Sequence, residues 1–394
     1  MSGQFVQSLA RLLSGGNQEA HEAAQRLVRK IDTDPGKRGD FALPSLDNPK
    51  VWKHPVDPHL FEELDRHNCT LEWPVESAVT KGSTLILRLQ RAAVFQQVIR
   101  QIVQMGVTGG SSCSAPENKV AVVTNNELQR CSPQLSKLRT IQVSGVVTKL
   151  LRAASANCHV KVGCSDTHHL SEKGVIPLQV GHVVDLNTKQ KSSANFADVY
   201  QQFYDNLMDV ARERGGHVSP LSVHHTAAAE IQFQLLAKNL KLPATLDPQK
   251  VDQASFVLYN NARIVQIFGA FNQGCRDRPS ESLPDVTDAD FSLLTEEEEW
   301  ELVFNGVLPY LDFLEAVRNE CSSATLSNVN KIVATLTGMA NCFSKYYRRV
   351  RILKSDPQPQ VLQVMHARLF LILVLRIVNE HAFGLLGIQA LKQM

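Results

Sequence analysis

Residues 343–354 (FSKYYRRVRILK) set two adjacent tyrosines among five cationic side chains. At helical spacing Phe343, Tyr347 and Arg351 stand at i, i+4 and i+8 and share one face, flanked by Lys345, Arg348 and Arg349, with Tyr346 beside them. Aromatic rings next to fixed cations suit an unpaired RNA loop. Each base stacked on a ring gains ~1–3 kcal/mol, and Lys or Arg adds a salt-sensitive attraction to phosphate. The same pattern fits a helix whose aromatics fill a core and whose charges are solvated, so spacing leaves both readings open. Uneven charge is a first clue to function. The whole chain of 394 residues carries a net charge of only +2, yet residues 321–394 hold nine Lys or Arg against Asp356 and Glu380. Residues 281–301 hold nine acids and no base.

The elements that must position these residues follow from periodicity. Apolar residues at 43% and charged residues at 20% describe an ordinary globular chain, long enough for two or three domains. A Gly/Ser/Pro stretch at 106–117 and a softer break at 214–220 divide it into units 1–105, 118–217 and 220–394. The first unit reads as α/β, with an alternating strand at 84–89 and a helix at 92–103. The second gives strand 119–123, helix 136–154 and strand 158–162, the order of a parallel-sheet fragment. The third reads as an all-α bundle with helices at 226–240, 251–271, 296–320, 326–351 and 360–386, interrupted by a Pro-rich acidic patch at 279–290. Thr295 and Glu298 have the spacing of a capping box. The apolar run 369–375 is far shorter than the ~20 residues of a membrane span and is expected as a buried helix.

Other residues that could do chemistry lack a supporting pattern. Eight cysteines are scattered without a C-x-x-C pair and read as reduced thiols, and the first thirteen residues lack a secretory signal, so a cytoplasmic location is expected. Cys158, His159, Cys164, His168 and His169 match no closed zinc spacing, and no metal or other cofactor is expected. His217, His224 and His225 have no nucleophile motif nearby and read as solvated or capping. Glu296, Glu297, Glu298 and Glu299 are expected to complement a helix dipole and face solvent. Gly109 and Gly110 lack the following G-K-[ST] of a phosphate loop.

Three segments of the last unit together resemble the anticodon-binding domain of the arginyl-tRNA synthetase family, named for a D-A-L-R sequence. Phe343, Tyr347 and Arg351-Ile352 match its Phe, Tyr and Arg-Val. Tyr259, Ala262, Arg263 and Ile264 match its Y-x-x-A-R-I helix. Residues 384–394 (GLLGIQALKQM) resemble its closing segment, which ends in methionine as Met394 does here. The naming motif is degraded to Ala229-Glu230-Ile231-Gln232. The resemblance implies that Tyr259, Arg263, Phe343, Tyr347, Arg351 and Met394 serve tRNA binding. Lys345, Tyr346, Arg348 and Arg349 join them on charge and aromatic spacing.

Upstream, residues 132–153 resemble the synthetase segment that carries H-x-G-H and then L-R-S, the latter matched by Leu138-Arg139-Thr140. Both signature histidines are replaced, by Gln134 and Lys137, and the glycine by Ser136. Residues 187–193 (NTKQKSS) are at most a faint counterpart of the K-M-S-K-S loop. The unit 118–217 is also too short for a complete class I core, so it reads as a degenerate Rossmann-like remnant. Residues 85–102 resemble the family's N-terminal additional domain. The resemblance thus implies a non-catalytic, synthetase-like paralogue that binds arginine tRNAs by the anticodon arm. As implied partner it has a tRNA 3-methylcytidine methyltransferase, with neither membrane nor DNA involved. The rival readings are an arginine–tRNA ligase and a protein-interaction scaffold.

Overall fold

The computed structural model describes residues 2–14, 22, 25–31, 38–43, 71–106, 121–124, 134–153, 159–164, 175–213, 219–322, 328–354 and 357–391. The N-terminal unit packs helix α1 (Ser2–Ser14) and α2 (Arg91–Met105) with an antiparallel sheet of order β1-β2-β4-β3, formed by Arg29–Lys30, Phe41–Leu43, Val75–Lys81 and Thr84–Leu89. Leu85, Leu87 and Leu89 alternate into the core along β4, as strand geometry requires. Gly82 takes a positive φ of 60° in the tight turn that joins β3 to β4, a conformation glycine adopts without steric cost.

The middle unit has a parallel sheet of order β5-β6-β7 (Ala121–Thr124, His159–Cys164, Val175–Val180), with α3 (Leu135–Ala153) joining its first two strands. Strand, helix, strand is the order expected from the sequence. Strand β7 and helix α4 (Phe196–Glu213) are additions. Helix α4 packs on α5 (Pro220–Ala237) in a small core of its own, with Val199, Phe203 and Leu207 against Val223, Ala227 and Ile231. The expected break at 214–220 therefore lies between two helices that share a core.

The helical unit continues with α6 (Gln253–Asp277), α7 (Glu297–Glu301), a π-helical turn (Leu302–Val307), α8 (Leu308–Ser322), α9 (Lys331–Arg349) and α10 (Pro359–Leu386). Proline at the first turn opens α5 and α10, where a missing N–H costs nothing. Gly387, in the left-handed region, closes α10, with Ile388 N–H donating to Phe383 O at 2.9 Å. Helix α10 is long and apolar enough to cross a membrane by length and composition. Here it packs against α2, α3, α6 and α9, and buries Leu369, Leu371, Ile372, Val374, Leu375 and Val378 completely.

The capping box lies one residue later than expected. Glu296 is the N-cap residue, and its N–H donates to Glu299 Oε2 at 2.9 Å. Trp300, just inside this helix, joins the first unit to the bundle. Its ring meets Phe95 edge-on at 5.6 Å and stacks on Phe304 at 5.0 Å, and its Nε1 donates to Asp40 at 2.8 Å. Arg91 and Glu297 add an ion pair at 2.8 Å across the same joint.

Candidate nucleic-acid interface

Helix α6 places Tyr259 and Arg263 one turn apart, and α9 brings Tyr347 to the same spot. The Arg263 guanidinium lies 4.2 Å from the Tyr259 ring centroid and 5.0 Å from that of Tyr347. Its Nη2 also donates to the Tyr259 hydroxyl at 2.6 Å. Both tyrosines are 41% exposed, an unusual state for large rings that have a core beside them. Phe343, one turn before Tyr347, is buried and meets it at 5.9 Å. The result is an exposed aromatic and cationic surface on a buried aromatic footing.

Helix α6 is itself fixed by the naming segment. Glu230 is fully buried, and its Oε1 accepts from Ser255 N at 2.8 Å and Ser255 Oγ at 2.7 Å, at the first turn of α6. Burial raises this carboxyl above its usual range, and the Ser255 bonds oppose that shift. The sequence names Glu230 only as part of the degraded motif and gives it no role. An acid three residues into the apolar run 227–231 is the signal that could have found it.

The structure separates the remaining candidates. Phe343 and Tyr346 are core residues and cannot present a ring to RNA. They lie on the side of α9 that faces the bundle, and burial pushes the Tyr346 hydroxyl well above its ordinary value. Lys345 reaches Glu301 at 2.5 Å and Arg349 reaches Glu298 at 2.5 Å. Among the described residues, Arg348 and Arg351 bond only backbone carbonyls, of Ser344 at 3.2 Å and Leu353 at 3.3 Å, and both are exposed. Met394 lies outside the described residues.

Of the acidic run only Glu296 is exposed as expected, and the other three acids are turned inward and paired. Glu297 meets Arg91, Glu298 meets Arg349, and the fully buried Glu299 meets Arg368 at 2.7 Å. The N-terminus of α7 is packed where α2, α9 and α10 converge, so its acids find cations from three elements. The Arg349 hydrogen bond holds the Glu298 carboxyl below its usual range. Burial raises that of Glu299 despite its own arginine, because desolvation outweighs the pairing.

In the middle unit the altered signature forms a structural joint. Gln134 bridges to Asn195, and the buried Ser136 hydroxyl accepts from Val183 N at 3.0 Å. Lys137 is half-buried on the first turn of α3. Arg139 is completely buried and donates to the carbonyls of Leu235, Gly181 and Leu242 at 3.0, 2.8 and 2.7 Å. Gly181 is obligatory there, since a Cβ would stand 2.5 Å from Leu242 O. Residues 184–191 close into a turn capped by Asp185, which accepts from Asn187 N and Thr188 N. Among the described residues no three His, Cys, Asp or Glu side chains gather as a metal site, and Cys158, His168, His169 and His217 lie outside those residues. His224 is part of a ring cluster, stacked on Tyr204 at 4.4 Å and bonded to the Tyr200 hydroxyl at 2.8 Å.

Residues 257–394, which span the helices carrying the stack, match the DALR anticodon binding domain. The helices from α6 onward carry a DALR anticodon-binding domain. DALR anticodon-binding domain-containing protein 3 of Rattus norvegicus is 32% identical over 176 residues, 43% of this chain and 32% of that protein. The chain spans about a third of the length of the curated relatives it matches. The arginine–tRNA ligase of Chlorobium luteolum is 36% identical over 101 residues, covering 26% of this chain and 16% of the ligase. Arginyl-tRNA synthetase of Thermus thermophilus shares the fold, with a TM-score of 0.58 at 13% identity over 93% of this chain and 96% of that one. The DALR domain thus sits on α/β units arranged as in a synthetase.

Proposed function

We propose that this protein binds arginine tRNAs through the anticodon arm without aminoacylating them, and presents them to a methyltransferase that forms 3-methylcytidine in the anticodon loop. The observation that carries the tRNA reading is the exposed stack of Tyr259, Arg263 and Tyr347 on a DALR domain. Rings held at fixed spacing accept unstacked bases at low ordering cost, and Arg348 and Arg351 stand ready for phosphate. Lys345 and Arg349 reach RNA only by leaving Glu301 and Glu298. Phe343 and Tyr346 act as footing, and Met394 belongs to the proposed contact set by family resemblance.

Non-catalysis is supported by Gln134 and Lys137 in place of the signature histidines, and by the Ser136 hydroxyl being tied to Val183. The groups that would contact ATP phosphate are missing. The methyltransferase partner rests on family resemblance. A titration against arginine tRNAs and unrelated tRNAs at two salt concentrations, with a Tyr347→Ala/Arg351→Ala variant, tests the reading. Selective, salt-sensitive binding weakened by the variant supports it, and equal weak binding to all tRNAs favours a protein scaffold. Addition of the protein should raise 3-methylcytidine formation by the partner enzyme on arginine tRNAs alone. The stretch of 101 residues similar to arginine–tRNA ligase favours the ligase as second reading, and arginine-dependent ATP–pyrophosphate exchange by pure protein would establish it.

A further inference from the structure

Behind the stack, helices α6, α9 and α10 line a small, partly open cavity of about 10 Å³, bordered by Val257, Asn260, Ile264, Phe343, Leu375 and Asn379 among others. Its walls are apolar except for two asparagines, 2% and 5% exposed. Asn260 Nδ2 donates to Phe256 O at 2.8 Å, and Asn379 Nδ2 donates to Asn261 Oδ1 at 3.1 Å. Among the described residues the amide oxygen of each has no hydrogen-bond donor. Buried carbonyls almost always have one, and a polar cavity of this size matches a single water site.

Reversing the amides does not remove the need. Turning Asn260 over would set its oxygen against the Phe256 carbonyl. Turning Asn379 over would set oxygen against oxygen at Asn261, and turning both amides would leave the Asn379 amide N–H, in place of its oxygen, without a partner. We infer that the cavity holds one ordered water molecule that donates a hydrogen bond to Asn260 Oδ1 and another to Asn379 Oδ1, coupling α6 to α10 directly behind Arg263 and Tyr347. A water has two donors, which meets both orphaned oxygens at once. The site sets the spacing of the two helices where apolar packing alone would allow sliding. It lies one turn from Arg263 on α6 and against the Phe343 ring that supports Tyr347.

The test is a crystal structure of the full chain at a resolution that shows ordered water, which needs no RNA and is independent of the proposed function. One density peak within hydrogen-bond distance of both oxygens is expected. A direct amide contact between Asn260 and Asn379, with no peak, would overturn the inference. In an Asn260→Leu/Asn379→Leu variant the peak should vanish, and its persistence would also overturn the assignment. If that variant fails to fold, the unaltered protein still decides the question.

Discussion

Arg263 of one helix lies with its guanidinium 5.0 Å from the ring of Tyr347 on another, while bonding the hydroxyl of Tyr259 on its own. Each ring fixes the cation and the cation fixes both rings, so the exposed surface is ordered before any ligand arrives. This relationship generates the first of four predictions.

Tyr347→Ala should weaken arginine-tRNA binding about 5- to 150-fold, corresponding to ~1–3 kcal/mol of lost stacking, and leave the salt slope unchanged. Arg351→Ala should instead lower the slope of log K against log salt by about 0.7, the share of one phosphate contact on a single strand. Arg263→Lys keeps the charge but loses the flat stacking group, and should behave like the tyrosine variant. Filter binding across a salt series separates the two patterns. An unchanged affinity in all three variants would remove the stack from the interface.

Lys345→Ala should act on stability and not on binding, since its ammonium is committed to Glu301. The pair is partly exposed, so solvent screening limits the cost to ~1 kcal/mol or less, read as a small fall in Tm. Arg349→Ala should likewise leave binding unchanged, since the exposed guanidinium lies beside Glu298. A drop in the salt slope for either variant would show that tRNA phosphate displaces the glutamate.

The aromatic pair Phe343 and Tyr346 should respond oppositely to truncation. Phe343→Ala removes a fully packed ring and should cost ~3–5 kcal/mol. Tyr346→Phe removes a buried hydroxyl that has no hydrogen-bond partner among the described residues and should be neutral or stabilising. Denaturant unfolding measures both, and a clear loss of stability on Tyr346→Phe would mean that the hydroxyl is bonded after all.

Asp40 gives a pH dependence. Burial raises its carboxyl above the ordinary 3.8, opposed by the Leu89 N–H and Trp300 Nε1 bonds. The folded state therefore holds this proton more tightly than the unfolded chain. Its contribution to stability is greatest below 3.8 and declines as pH rises through the raised value. Asp40→Asn should flatten the fall of Tm with pH in that window. An identical pH profile for both proteins would assign the dependence to the other buried acids, Glu230 and Glu299, which shift in the same direction.

Helix positions, the parallel strand order and the DALR motifs were legible because they depend on local spacing. Periodicity places apolar residues on a face wherever the chain folds, and the Tyr259, Arg263 and Tyr347 positions could be read from family motifs. Helix α4 went unread despite the regular spacing of Val199, Phe203 and Leu207, and β7 went unread despite the alternation of Ile176, Leu178 and Val180, because Pro177 within the run argues against a strand.

By itself the sequence determined that residues 343–349 lie on a helix carrying aromatics and cations, and that an acidic run opens an earlier helix; the structure ends that helix at Arg349, so Arg351 lies beyond it and not on its face. Only the tertiary structure decided which aromatics stay exposed and which cations stay available. Spacing defines the faces of a helix, but burial depends on what packs against them. Phe343 and Tyr346 turn toward the bundle, Tyr347 turns outward beside Arg263, and Glu298 and Glu301 engage Arg349 and Lys345 because α7 crosses the end of α9. The same holds for Arg139, whose charge suggests a surface residue until Gly181, Leu235 and Leu242 supply the carbonyls that let it stay buried.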